Sequence, residues 1–369
     1  YNMGNNVKLW SEFHPALYRM TVSVNMDNGA KNDYTESFGM RDFSKSDGQF
    51  TINGNKTFLR GEANSAVFPL TGYPFMTKAE WKKFFGKAQS MGINFFRFHS
   101  WAPPMAAFEA ADEMGIYMQP EMYGFGGTPT GFDTLYGKEG ERILEYFASN
   151  PSFVMMTFGN EMTTSSKDTQ SEIKSFRARL KSIDPTRLYA EGTNNNLSDS
   201  KINTDDDFWT TAKVAKSGND KQVRLSFAWN NSSDGGRLEG EQPNSCQDFN
   251  KAMEYLNSDI PVMGHETGQY QVYPNFKKEI PKYENGVFAP RNLSNFQSIM
   301  EKKGLSDMNE TFSRVTARTS AISYRADIEA ALKTAGFGGY QLLSIQDFPG
   351  QNTALVGILA VSYTHLTLP

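Results

Sequence analysis

The sequence predicts an α/β chain in which a (β/α)8 barrel follows the last strands of a β-sandwich. Three observations support this prediction. Residues 7–41 alternate apolar and polar side chains, as antiparallel strands do. Later residues alternate short apolar runs with helical periodicity, and eight such runs occur, which is the number a (β/α)8 barrel needs. No Gly-x-Gly-x-x-Gly loop follows the first run, which argues against a dinucleotide-binding sheet.

The N-terminal residues are expected to form antiparallel strands with a turn at Asn28-Gly29. This stretch is too short to close a sandwich alone, so we expect 1–43 to be the end of one. The segment 44–360 is expected to form the barrel, without its last helix. Residues 361–369 have no relation to the pattern before them and look like translated sequencing-adapter sequence, which predicts a non-native tail.

The barrel segment opens on a hairpin, whose strands 50–52 and 57–59 flank the tight-turn signal Asn53-Gly54. Its first helix, 77–91, begins with the capping box Thr77-Lys-Ala-Glu80. Further helices are predicted over 104–113, 138–149, 168–182, 292–303 and 309–335. The eight barrel strands are predicted over 58–60, 93–98, 116–119, 153–158, 188–190, 223–227, 260–263 and 339–343.

Composition excludes several classes of protein. The 369 residues carry 41 acidic and 37 basic side chains, so the net charge of −4 gives no basic footprint for nucleic acid. One cysteine excludes an internal disulfide or a Cys-rich metal site, and no apolar run is long enough to span a membrane. Aromatic residues make up 13% of the chain, which suits a Phe-rich core and also the platforms on which sugars stack.

The active site of a barrel lies at the C-terminal ends of its strands. The side chains that the eight predicted strands deliver there are mostly carboxylates, amides, His and aromatics. They include no Ser or Cys with a convincing base, no His-rich ligand set and no His-Glu-x-x-His motif. Carboxylate chemistry surrounded by sugar-binding groups remains, and paired carboxylates are the minimal equipment for glycoside hydrolysis.

Two strand ends carry a resemblance to a known family. Phe158-Gly-Asn-Glu161 ends the fourth strand and Glu266 ends the seventh, as in the retaining (β/α)8 glycosidases. Leu9-Trp10 to Tyr18, Phe38 to Arg41, the hairpin signal and Asn94 to His99 resemble glycoside hydrolase family two, which contains β-galactosidases, β-glucuronidases and β-mannosidases. The resemblance covers about residues 7–358 and implies that the N-terminal strands end an immunoglobulin-like domain.

The resemblance implies roles for the residues that match the family pattern. Glu161 would be the general acid/base and Glu266 the nucleophile. Asn160 would bind the sugar 2-hydroxyl, and Arg97 would keep Glu266 ionised. The charge on Glu266 should in turn raise the pKa of Glu161. The residues expected near the sugar are His99, Glu121 and Tyr123.

Other rim residues have two interpretations each. Trp229, His265 and Tyr270 contact sugar or belong to the scaffold, and Gln346 and Asp347 bind sugar or stabilise a loop. Glu191 at the end of the fifth strand is an alternative general acid, although no Asn precedes it as Asn160 precedes Glu161.

The implied activity is exo-acting hydrolysis of terminal β-glycosidic bonds with retention, most similar to a β-galactosidase. The alternatives are a non-catalytic carbohydrate-binding barrel and a transglycosylase. The expected ligand is an oligosaccharide or polysaccharide-derived glycan, and the sequence leaves the oligomeric state open. No cofactor is expected: Tyr123 stands where many β-galactosidases of the family have a Mg²⁺-binding His, which argues against that ion. The resemblance favours a periplasmic or secreted location.

Overall fold

The computed structural model describes residues 3–4, 6–196, 202–214, 223–227, 246–346 and 357–359. The predicted tail 361–369 lies outside this part of the chain. Two small antiparallel sheets come first in the fold, as the alternation in the sequence predicts. They consist of β1 (Tyr18–Asn25) with β2 (Lys31–Phe38), and of β3 (Phe43–Ser46), β4 (Gln49–Ile52) and β5 (Asn55–Thr57).

The turn between β4 and β5 lies at Asn53-Gly54, as predicted. Asn53 and Gly54 have φ angles of 52° and 77°, the two consecutive positive values that a tight hairpin turn of this kind requires. Asn and Gly tolerate this left-handed backbone better than other residues do. The sequence of the turn therefore fixes the register of the hairpin.

Eight parallel strands form a single sheet in the order β10-β9-β8-β7-β6-β15-β14-β11. Thr193 forms isolated bridges to Asn160 on one side and to Thr210 on the other, and so joins the two edge strands. The sheet therefore closes into the predicted barrel. The strands after β5, including a short antiparallel pair, are β6 (Leu59–Asn64), β7 (Phe95–Phe98), β8 (Tyr117–Phe125), β9 (Met155–Asn160), β10 (Leu188–Ala190), β11 (Trp209–Thr211), β12 (Lys213–Val214), β13 (Val223–Arg224), β14 (Val262–Thr267) and β15 (Phe337–Leu342).

The sixth barrel strand is not where the sequence predicts it. The prediction over 223–227 is wrong, because β11 (Trp209–Thr211) pairs with β14 in the barrel. Val223–Arg224 pairs instead with Lys213–Val214 outside the sheet. Trp and Thr favour strands, but a three-residue segment with one apolar side chain gives no apolar run that a sequence pattern can detect.

Helices follow the strands at the outside of the barrel. The capping box of the first helix is present, with the Thr77 hydroxyl accepting from the Glu80 N–H and the Glu80 carboxylate accepting from the Thr77 N–H. The α-helices of the described residues are α1 (Lys78–Gln89), α2 (Met105–Met114), α3 (Leu135–Tyr146), α4 (Lys167–Ile183), α5 (Asn250–Leu256), α6 (Phe276–Glu279), α7 (Arg291–Lys302) and α8 (Asn309–Lys333). The sequence does not predict the short helices α5 and α6.

Aromatic side chains fill two layers of the core. One layer lies between the helices and the barrel, where Trp81, Phe85 and Phe96 are fully buried. The other includes Phe50, on the β3–β5 sheet, and the barrel residue Tyr117. Since β3–β5 precede the first barrel strand, this second layer plugs the N-terminal end and leaves the C-terminal end for a site. Within the described residues, no helix is long and apolar enough to cross a membrane.

Candidate active site

Two glutamates meet at the C-terminal end of the barrel. Glu161 directly follows β9, and Glu266 is the penultimate residue of β14. An oxygen of Glu161, an oxygen of Glu266 and a ring nitrogen of His265 all lie within 4.8 Å of one another. The side chain of Glu161 is 22% exposed and that of Glu266 is 9% exposed. The pair is therefore enclosed but remains open on the side of Glu161.

The backbone at both glutamates is unusual. Glu161 has a φ angle of 51° and Glu266 one of 43°, and Ser100 at the end of β7 has 59°. Residues with a side chain rarely adopt this left-handed region, and such strain clusters at functional sites. Strained backbone at both carboxylates supports a functional interpretation of the pair.

A buried ion pair lies beneath the two glutamates. Arg97 on β7 donates from Nε to Oε2 of Glu121 at 3.0 Å and from Nη2 to Oε1 at 2.7 Å. Glu121 on β8 also accepts from the Ser100 N–H and from the hydroxyls of Thr157 and Thr193. Burial raises the pKa of Glu121, but the charge and hydrogen bonds of Arg97 outweigh it and the net pKa is lowered.

Arg97 bonds Glu121 directly and forms a longer ion pair with Glu266, the carboxylate that the sequence places beside it. Its Nη1 lies 4.0 Å from Oε1 of Glu266, whereas its two bonds to Glu121 are shorter than this by 1 Å or more. The reason is geometric, because a planar guanidinium prefers a bidentate partner in its own plane. At 4.0 Å, Arg97 is in ion-pair range of Glu266 but forms no hydrogen bond with it.

Asn160 has one side of its amide fixed by the protein. Its Oδ1 accepts from Nη2 of Arg97 at 2.7 Å and from the Thr193 hydroxyl at 3.1 Å. This leaves the amide nitrogen as the free donor, since no described residue is recorded as accepting from it. A donor held in this way beside Glu161 suits recognition of a sugar hydroxyl.

Two histidines approach the glutamate pair. His99 Nε2 lies 3.6 Å from Oε1 of Glu266. Burial, and then the charge of Arg97, lower the pKa of His99, so the neutral ring is favoured. His265 is fully buried, and its Nε2 lies 3.4 Å from Oε1 of Glu161 and 3.5 Å from Oε1 of Glu266.

The pKa of Glu161 departs from expectation. Burial raises it, but hydrogen bonding and charge from His265, a hydrogen bond from Asn194 and the charge of Arg97 together leave it below its ordinary value. The expected rise in the pKa of Glu161 is therefore not found. Donors aimed at Glu161 stabilise its ionised form.

Asn194 is a hydrogen-bond partner of Glu161 that the sequence analysis does not predict. Its Nδ2 donates to Oε1 of Glu161 at 2.8 Å, and its Oδ1 accepts from the Ala212 N–H at 3.0 Å. Asn195 and Asn196 likewise accept from backbone N–H groups in the loop that follows Glu161. The run of three Asn residues, a turn-forming composition, is the signal that could have indicated this support.

The other predicted rim residues have scaffold contacts. The Tyr270 hydroxyl donates to Asp327 at 2.6 Å, and the Gln346 amide donates to the Val67 carbonyl at 3.0 Å. Tyr123 is 52% exposed, and its ring packs edge-on against Tyr136. Contact of these three with sugar stays a prediction. Trp229 and Asp347 lie outside the described residues.

Glu191, the alternative acid, is enclosed in a complete hydrogen-bond network. It accepts from Thr164 at 2.9 Å, from Gln170 at 2.8 Å and from Asn203 at 2.9 Å. Its side chain is buried behind the loop that follows Glu161. This arrangement supports a structural role for Glu191.

The structure thus holds two close glutamates over a buried Arg–Glu pair at the C-terminal end of a barrel. The family model "Glycosyl hydrolases family 2" matches residues 3–41. A β-galactosidase of Thermoanaerobacter pseudethanolicus is 27% identical over 122 residues, which are 33% of this chain and 16% of that protein. A β-glucuronidase of Rattus norvegicus is 25% identical over 183 residues, 47% of this chain and 28% of that protein.

Solved structures give the same result for the fold. A β-glucuronidase from Ruminococcus gnavus superposes with a TM-score of 0.69 at 15% identity, covering 98% of this chain and 57% of that one. The chain is thus similar to proteins of glycosyl hydrolase family 2 in sequence and in fold. It spans well under two thirds of the length of the relatives it matches.

Proposed function

We propose that this chain forms the catalytic site of a retaining exo-β-glycosidase. The observation that carries the proposal is the separation of the two glutamates, whose nearest oxygens lie within 4.8 Å. Retaining enzymes hold their carboxyl groups about 5–5.5 Å apart, while inverting enzymes need about 6.5–9.5 Å to admit a water molecule. The close pair therefore favours attack by the protein itself.

In the first step Glu266 attacks the anomeric carbon and forms a glycosyl ester. Glu161, in its protonated form, transfers its proton to the leaving oxygen, and the glycosidic bond breaks. The greater exposure of Glu161 suits this role, because the leaving group departs toward solvent. In the second step Glu161, now ionised, takes a proton from water, and that water releases the sugar from Glu266.

The residues below the pair would bind and orient the sugar. The free amide donor of Asn160 is placed to bind the 2-hydroxyl, a contact that strengthens in the transition state. Nε and Nη2 of Arg97 are engaged by Glu121 and Asn160. The similarity to β-galactosidases supports β-galactoside-like substrates, and the similarity to β-glucuronidases makes β-glucuronides the second candidate.

We propose that the reaction uses no metal ion. Glu161, His265 and Glu266 come close together, but the Arg97 guanidinium lies 3.5 Å from His265 and 4.0 Å from Glu266. Its positive charge opposes binding of a cation beside it. Activity should therefore persist in excess EDTA, and a loss that Mg²⁺ restores would contradict this part of the proposal.

A substrate screen tests the activity itself. Nitrophenyl β-galactoside, β-glucuronide, β-mannoside and α-arabinoside are offered to the protein, and NMR follows the anomeric configuration of the first product. Turnover of the β-galactoside with retention is expected. Absence of turnover on every glycoside would favour a carbohydrate-binding barrel, and products formed with an added sugar acceptor would indicate a transglycosylase.

Leaving-group dependence tests the acid assignment. Glu161→Gln should slow glycosides with poor leaving groups by about 10²–10⁴-fold, since general acid help is lost, and activated dinitrophenyl glycosides much less. Azide should rescue Glu161→Ala and give a β-glycosyl azide. Glu172→Gln, an exposed change on α4, serves as the control. Equal losses on both kinds of substrate would contradict the assignment.

A further inference from the structure

His265 lies between the two glutamates, and its side chain is shielded from solvent. Its side chain has no exposure, and its Nε2 lies 3.4 Å from Oε1 of Glu161 and 3.5 Å from Oε1 of Glu266. Within the described residues, this nitrogen forms no well-aligned hydrogen bond. A buried polar atom without a partner costs stability, so its position between two carboxylates calls for a functional explanation.

The neighbour on the other side of the ring determines which nitrogen carries the proton. Arg97 Nη1 lies 3.5 Å from Nδ1 of His265, and a guanidinium can only donate. Nδ1 must therefore be the acceptor, which leaves the proton on Nε2. His265 thus points the N–H of Nε2 at the two carboxylates.

We propose that His265 is a positioning residue whose single Nε2–H serves the two glutamates in turn, following the negative charge through the reaction. The inference rests on the proposed retaining mechanism. In the first step Glu266 loses its charge to the new ester while Glu161 gains one by releasing its proton. In the second step the charge returns. Because the two oxygens are almost equally distant from Nε2, the donor can change partner without movement of the backbone.

The surroundings of His265 make it the donor of the cluster that can change its hydrogen-bond partner. The charged or titratable groups that face it are Glu161, Glu266, Arg97 and His99. Arg97 is held by two bonds to Glu121, so its charge is fixed through the cycle. Neutral His99 approaches Glu266 alone. Among the described residues, His265 is the one donor recorded within reach of both glutamates.

The proposal has a definite consequence for pH dependence. A donor that bonds a carboxylate favours its ionised form and lowers its pKa. Removing it should raise the pKa of Glu161 and take from Glu266 a donor that stabilises its charge. The acidic limb of kcat/KM, set by ionisation of the nucleophile, and the basic limb, set by deprotonation of the acid, should then both move to higher pH. A defect of packing alone would lower the rate without moving both limbs.

The experiment compares two substitutions. His265→Leu keeps much of the volume and removes the donor, while His265→Gln keeps an N–H near the position of Nε2. His265→Leu should lower kcat/KM by about 10- to 100-fold, the size expected for one hydrogen bond to a charged group, and His265→Gln by no more than about fivefold. Both pH limbs should move up by about one unit in His265→Leu.

Both chemical steps should be affected. With a dinitrophenyl glycoside kcat reports release of the sugar from Glu266, whereas kcat/KM reports the first step. His265→Leu should lower both, because the donor serves each glutamate in turn. His14→Leu, an exposed change in the N-terminal segment, is the matched control and should alter neither. Loss confined to one step, or unchanged pH limbs in His265→Leu, would overturn the proposal.

A measurement without turnover keeps the inference separate from the proposed function. The chain has four His residues, so ring ¹⁵N resonances can be assigned by comparison with His265→Gln. The Nε2–H tautomer should persist across neutral pH. An Nδ1–H tautomer or a charged ring at pH 7 would overturn the proposal even in an active enzyme. If the expected tautomer is found but no glycoside is turned over, the proposed function fails, and with it the inference that depends on it.

Discussion

Two fully buried glutamates lie on strands separated by β7 alone, yet they have opposite electrostatic surroundings. Glu121, on β8, is paired with Arg97 and accepts three further hydrogen bonds. Glu62, on β6, accepts from Nδ2 of Asn64 at 3.1 Å and from the Ile345 N–H at 3.0 Å. Among the described residues, no Lys or Arg is recorded in an ion pair with Glu62.

The difference shows how a single cation changes the role of a buried acid. Burial raises the pKa of Glu62 to about 7, since two neutral donors offset little of the cost of burying its charge. The pKa of Glu121 is instead lowered, and Arg97 keeps it ionised. The Arg97–Glu121 ion pair therefore stays charged beneath Glu161 and Glu266, whereas Glu62 titrates near neutral pH.

The largest expected effect comes from breaking the buried Arg97–Glu121 ion pair. Arg97→Met leaves Glu121 charged, buried and without its cation, and should lower the free energy of unfolding by about 3–5 kcal/mol. Urea unfolding at pH 7 measures the change. Arg325→Met removes an exposed ion pair on α8 and should leave stability unchanged. If the two variants unfold at the same urea concentration, the buried pair does not stabilise this side of the barrel.

Glu62→Gln tests the titrating side. The folded pKa of Glu62, about 7, is above its ordinary value of 4.5, so the folded state binds the extra proton between these values. Stability from this group is therefore complete below about pH 4.5 and falls by about 3 kcal/mol as the pH rises through 7. Gln mimics the protonated acid and should remove this dependence.

Unfolding of the parent and of Glu62→Gln is compared from pH 4.5 to 8. The variant should be the more stable of the two at pH 8, and the two curves should converge toward pH 4.5. A variant that is less stable at pH 8 would show that the ionised form of Glu62 is stabilised by the fold, contrary to the comparison.

Asn64→Ala removes one of the two donors recorded for Glu62 and should cost about 2 kcal/mol at pH 7, because a buried carboxylate loses half of its support. The pKa of Glu62 should rise further, so the steep part of the stability curve should move to higher pH. Stability measured across pH separates this from a simple loss of packing, which would displace the curve equally at every pH.

The sequence predicts the frame of the site but not its contacts. Glu161 and Glu266 are recognisable because each ends a strand of a regular series. The sequence does not show which carboxylate bonds Arg97 directly, because Glu121, Glu161 and Glu266 all lie near it. The planar geometry of the guanidinium selects Glu121. The sixth strand is missed for a related reason: Trp209–Thr211 has little apolar character and is held by pairing with β14. Asn194 contacts Glu161 only because the positive φ of 53° turns its amide toward β9.

The smallest effect is expected from Thr193→Val, which removes one donor from the Arg97 side. The hydroxyl has a single proton for Glu121 at 3.0 Å and Asn160 at 3.1 Å, so it serves one of them at a time. Glu121 keeps both bonds from Arg97 and those from Ser100 and Thr157, and Val preserves the shape. The loss should be about 1 kcal/mol in urea unfolding, less than for Asn64→Ala. If Thr193→Val and Asn64→Ala cost the same, then Arg97 does not compensate Glu121 for the loss of a neutral hydrogen-bond donor.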